Sequence, residues 1–221
     1  MGRILAIFLL SLCAAQHACA GAWLRDKGAG FLSLTGTLYN PSSTYDFKSA
    51  VYAEWGVTPK LTVGLDLNER PGLTGHALIF ARVPVTTLGQ NGRVAFEFGG
   101  GGHHFQNRWH PMYKIGLSYG KSLDSRWGSG WLAIDFALEH RTRTSDPFYK
   151  LDATVGLSEN RRLNPMLQIE TAYFENSEFQ WSVTPSILIK GKNNRKWQIG
   201  IEHRSAYPKG YGLKFALLRE F

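Results

Sequence analysis

Ionisable side chains that alternate one for one with apolar ones can line a water-filled passage or lock together as ion pairs. Glu54, Asp66, Arg82, Glu97, Lys114, Asp135, Glu139, Lys150, Asp152, Glu170, Glu202 and Lys214 each stand beside an apolar residue in a stretch of period two. If they share the inside of a closed sheet, two outcomes are open. Facing water, they would line a polar channel. Paired across a narrow interior, they would partly plug it.

Other residue types invite other chemistry. The run Gly99 to His110, GGGGHHFQNRWH, brings together His103, His104 and His110, which are ligand types for a transition metal. Neighbouring residues on an extended chain point to opposite sides, so His103 and His104 chelate poorly together. The run therefore reads as a glycine-rich surface loop with polar tips. Its glycines do not make a phosphate loop, because no helix follows to cap a phosphate. Lipid hydrolysis would need a serine within hydrogen-bonding reach of a histidine. The nearest arrangement is His203-Arg204-Ser205, with Ser205 in a loop beside Pro208, while His140 next to Glu139 has no comparable serine. These read as strand-end polar residues, and no catalytic residue, metal or cofactor is expected.

The elements that would position the charged set are strands. Residues 61–68, LTVGLDLN, put Leu61, Val63, Leu65 and Leu67 on one face and Thr62, Gly64, Asp66 and Asn68 on the other. Clear alternation recurs at 51–57, 93–99, 113–120, 132–139, 149–156 and 197–202. Weaker versions lie at 31–39, 76–85, 166–173, 179–190 and 211–221. Twelve strands give each strand and its connection roughly 17 residues, of which 9–11 would cross a tilted membrane span. An even count suits a closed antiparallel barrel. Residues 58–60, 86–92 and 191–196 read as turns on one side. Residues 40–46, 68–75, 100–112 and 141–147 read as loops on the other, and 121–130 as a long connection. The expected fold class is all-β, a closed antiparallel transmembrane barrel of about twelve strands.

The first 20 residues read as an export signal. Arg3 supplies a positive start, Ile4 to Leu12 an apolar run too short to span a bilayer, and Ala18-Cys19-Ala20 a small-x-small cleavage site. Cleavage after Ala20 would leave residues 21–221 as one barrel domain. Both cysteines, Cys13 and Cys19, lie in the signal, so the mature chain would carry neither a disulfide nor a Cys-ligated zinc. The formal charge of +8 raises the question of nucleic acid. An exported protein rarely meets it, and clusters such as Arg161-Arg162 sit in turns; no nucleic-acid partner is expected.

Alternation alone fits two barrels. A soluble lipocalin-like barrel is apolar inside, and a membrane barrel inverts this. The bulky faces are nearly uncharged, and the opposite faces carry the ionisable set together with glycine, alanine and serine. Tyr39, Phe47, Trp55, Tyr113, Tyr173, Phe179, Trp181, Trp197 and Tyr211 fall near strand ends, where membrane barrels place aromatic girdles. The last strand alternates Tyr211, Leu213, Phe215 and Leu217 and ends on Phe221, with Arg219 breaking the apolar series. A terminal phenylalanine after such alternation resembles the assembly signal of outer-membrane barrels. Outer-membrane lipid and the barrel assembly machinery are the expected partners.

The segment Tyr52 to Leu67, YAEWGVTPKLTVGLDL, resembles a hairpin of the outer-membrane family named for the meta-pathway of phenol degradation. Gly21-Ala22-Trp23 and Lys27-Gly28 are similar to the start of such chains. The resemblance implies a barrel passing small hydrophobic or aromatic compounds, and brings no catalytic residues. The expected function is a passive outer-membrane channel for small solutes. A barrel plugged by ion pairs, a soluble ligand-binding barrel and a membrane-embedded lipid hydrolase remain as alternatives.

Overall fold

The computed structural model describes residues 21–40, 46–126, 128–143, 147–158, 162–175, 177–206 and 210–221. The expected export signal, residues 1–20, lies outside the described residues. Period-two alternation has one outcome in the described chain: twelve strands, β1 (Gly30–Tyr39), β2 (Asp46–Thr58), β3 (Leu61–Arg70), β4 (Thr74–Leu88), β5 (Gly92–Phe105), β6 (Arg108–Ser125), β7 (Gly128–Arg141), β8 (Phe148–Leu157), β9 (Leu163–Tyr173), β10 (Gln180–Lys190), β11 (Arg195–Arg204) and β12 (Gly212–Glu220). Each pairs antiparallel with its sequence neighbours, and β1 pairs with β12 to close the barrel. Closure satisfies the row of backbone groups that an open edge would leave unpaired. The seam runs from Phe31 opposite Glu220 to Tyr39 opposite Gly212. It is finished by reciprocal backbone bonds, with Gly30 N donating to Phe221 O at 2.7 Å and Phe221 N to Gly30 O at 3.0 Å.

Two faces follow from the pleat. Outward stand Trp55, Ile79, Phe98, Leu117, Phe136, Leu151, Ile187, Ile199, Leu213 and Phe215, all exposed. Inward stand Glu54, Arg82, Glu97, Glu139, Glu202 and Lys214, all buried. A soluble ligand-binding barrel needs the reverse, an apolar inside and a polar outside. Two register shifts, at Gly56/Thr58 in β2 and Pro84/Thr86 in β4, lie near the end of the barrel where β1 starts and β12 finishes. A bulge of this kind accommodates Pro84, which has no N–H to give the ladder.

Three expectations need correction. The run 100–112 is not a loop: β5 continues to Phe105, β6 starts at Arg108, and only Gln106 and Asn107 turn, at φ of 50° and 64°. The glycines are strand residues because neighbouring backbone comes too close for a side chain. A Cβ on Gly101 would lie 2.0 Å from the Ala77 carbonyl oxygen. Similarly, the connection at 121–130 shrinks to two residues, since β6 runs to Ser125 and β7 starts at Gly128. Third, Tyr39 does not join the outer girdle. It is 1% exposed and points inward, where its hydroxyl donates to Glu202 at 2.5 Å. The other eight aromatics named for the girdle are exposed on the outside.

Candidate functional site: the charged lumen

The barrel encloses a cavity of about 440 Å³. Eleven of the twelve ionisable residues singled out from the sequence border it, and the twelfth, Glu54, is buried just below. Strand parity puts them there, since each is an even number of residues from another inward side chain on its own strand.

One wall carries a chain of alternating charge across β2 to β6. Arg25 Nε donates to Glu54 at 2.6 Å. Glu54 also accepts from Arg82 Nη1 and from the Tyr52 hydroxyl. Arg82 reaches on to Glu97 at 2.5 Å, Lys114 lies 2.9 Å from Glu97 and 3.5 Å from Asp66, and Asp66 meets His76 at 3.2 Å. The planar fork of arginine lets one side chain serve Glu54, Glu97 and the Tyr52 oxygen at once. On β7 and β8, Glu139 takes Lys150 at 2.5 Å and Arg141 at 2.8 Å. On the opposite wall Lys214 lies 3.1 Å from Gln168 and 3.9 Å from Glu170, and Gln198 joins Gln168 to Ser186.

Asp135 and Asp152 differ. They sit directly opposite each other on β7 and β8. Asp152 accepts the Thr171 N–H at 3.0 Å, but no ion pair reaches either carboxylate among the described residues.

Below these groups, at the end where β1 starts and β12 finishes, the interior turns apolar. Trp131, Ala133, Met166 and Leu188 form a buried cluster with Trp23 and Leu218 packed on it. Trp23 belongs to the segment leading into β1, which runs inside the barrel. Its ring fills the space that a side chain on Gly120 would need. Arg25, two residues on, donates its backbone N–H to Thr62 and lays its guanidinium 4.7 Å from the Phe31 ring centre. Gly28 and Gly56 then begin the backbone pairing that leads into β1.

Sequence patterning missed Arg25, Trp23, Tyr39 and Trp131. Tyr39 and Trp131 were legible by counting in twos from Thr37 and Ala133; the leading segment has no periodicity to count.

The remaining candidates are dispersed. His103 and His104 do point to opposite faces, toward the Thr142 carbonyl and toward Glu69 at 2.8 Å respectively. His110 stacks near His103, and among the described residues no group is placed to hold a metal ion. His203 is flanked by Trp181 and Tyr211 and faces the Gly210 carbonyl, while Ser205 Oγ accepts the Trp181 N–H. His140 stacks on Tyr113. The serine and histidine of 203–205 thus spend their hydrogen bonds on other groups.

No protein-family model matches the chain, and the comparison with curated proteins found no match. Solved structures do match. One is the KdgM porin in complex with disordered oligogalacturonate, 8% identical, covering 86% of this chain and 99% of that chain at a TM-score of 0.62. Another is the KdgM porin, at 8% identity, the same coverage and a TM-score of 0.60. The chain shares their transmembrane-barrel fold.

Proposed function

We propose that the protein is an outer-membrane channel for small solutes, exported by cleavage after Ala20 and inserted through a C-terminal strand ending on Phe221. The observation that carries this reading is the inversion of the barrel: a charged cavity inside an apolar outer wall. Lipid solvates such a wall and water such a lumen. The porin fold of the structural neighbours supports the same reading.

The wall also bears on the solute. Seven aspartate and glutamate side chains border the cavity against five lysines and arginines. A polyanion such as the oligogalacturonate named with one neighbour is therefore disfavoured, and small cations and neutral polar molecules are favoured. The apolar floor of Trp131, Met166 and Leu188 is the part suited to a small aromatic ring, the solute class that the Tyr52 to Leu67 resemblance implies. The same floor favours a second reading, a barrel whose lumen stays shut.

Planar-bilayer recording separates the two. A channel gives discrete conductance steps, with a reversal potential under a salt gradient displaced toward the cation. Persistent silence of purified, folded protein removes the channel, and a reversal potential on the anion side removes the cation preference.

A further inference from the structure

We propose that Asp135 and Asp152 form an ammonium-binding site inside the lumen. Its ligand is the α-amino group of the processed chain, and its occupation holds residues 21–25 inside the barrel. This rests on the channel reading, for which it names the closing element.

Three observations converge. The first is the pair itself. Asp135 and Asp152 face each other across neighbouring strands, with Cβ atoms about 5 Å apart as in any such pair. Glu54, Asp66, Glu97, Glu139 and Glu170 each have a lysine or arginine within ion-pair distance. Asp135 and Asp152 have none among the described residues. Two like charges side by side in a closed lumen are relieved by a shared proton or by a cation between them.

The second observation is what stands against them. A Cβ added to Gly21 would come within 2.7 Å of Asp135 Oδ1, and Gly21 has a φ of +93°. Both facts demand glycine there. The Asp135 carboxylate is thus packed onto the Cα of Gly21, one bond from its backbone nitrogen. In a chain cut after Ala20, that nitrogen is an ammonium. In the uncut chain it is a neutral amide. Processing therefore creates the charge that the site takes.

The third observation is that the segment is anchored at two further levels. Trp23 rests on Gly120 and the Trp131–Met166–Leu188 cluster, and Arg25 is tied to Glu54 and Thr62. Gly21, Trp23 and Arg25 thus meet β7, β6 and the β2–β3 pair in turn.

The test is acylation of the α-amine at near-neutral pH, followed by mass spectrometry of the N-terminal peptide. Purified, folded protein in detergent should begin at Gly21 and react at least tenfold more slowly than the heat-unfolded chain. The D135N/D152N double variant, checked for folding by its heat-dependent gel shift, should react at close to the unfolded rate. Trp23→Gly, which leaves both acids in place, should also speed labelling by removing an anchor. A chain that begins elsewhere, or an α-amine that reacts equally fast folded and unfolded, overturns the proposal. Bilayer recordings of the same samples keep the two readings apart. A protected amine with no conductance in any variant retains the site and removes the channel. Steps of equal size and frequency in wild type and double variant, with a freely reactive amine, retain the channel and remove the site.

Discussion

At the scale of the residue, Arg82 joins three lumen side chains at once. It is 3% exposed and serves Glu54, Glu97 and Tyr52. Replacing it with methionine keeps much of the volume and removes the charge. Glu54 would retain Arg25, and Glu97 would retain Lys114, each short of one partner. Breaking a buried pair from one side costs about 3–5 kcal/mol. We expect Arg82→Met to lower stability by about 3 kcal/mol, read as a shift in the urea midpoint for folding in lipid vesicles. Arg82→Lys should recover only part of this, because a single ammonium cannot reach three oxygens so placed. An unchanged midpoint in both would mean that the network adds nothing to the fold. The charge set itself was legible in the sequence, because alternation tells which side of a strand a residue takes. The partners were not. Which acid meets which base depends on the register across five strands, and Arg25 comes from a segment with no repeat at all.

At the scale of the element, the β5–β6 hairpin holds two non-glycine residues in the left-handed region, Gln106 and Asn107. Asparagine tolerates that conformation, whereas glutamine is strained there. Gln106→Gly should therefore stabilise the protein by about 0.5–1 kcal/mol in the same vesicle titration, and a loss of stability would contradict the turn geometry. The closing pair of strands makes a second prediction. Phe221 supplies both backbone bonds to Gly30 and packs its ring 5.9 Å from that of Trp55. Deleting it should sharply reduce the heat-modifiable fraction recovered from the outer membrane while leaving synthesis unchanged; full recovery would show that the terminal residue is dispensable. Strand number was readable because ten or so alternating residues leave little else to form. The Gly99 to His110 hairpin was not, since four glycines in a row carry no alternation, and their place in the sheet depends on how closely Ala77 approaches.

At the scale of the whole molecule, the outward face decides the solvent. Ile79 is 70% exposed within the β4 span. On a soluble barrel an arginine there would cost next to nothing. Facing the middle of a bilayer, it costs about 2–4 kcal/mol. Ile79→Arg should therefore destabilise the barrel by that amount in phospholipid vesicles, and an unaltered unfolding curve would argue against a lipid-facing wall. The seam between β1 and β12 has a further bearing on how such a molecule comes into being. Every other strand pairing joins sequence neighbours and can zip up locally. The seam must bring together residues far apart in sequence, Phe31 and Glu220 among them. Closing so large a ring costs about 2 kcal/mol more in chain entropy than closing a hairpin of roughly 20 residues. Folding therefore has a natural last step, in which an eleven-hairpin ribbon with two raw edges waits to become a cylinder.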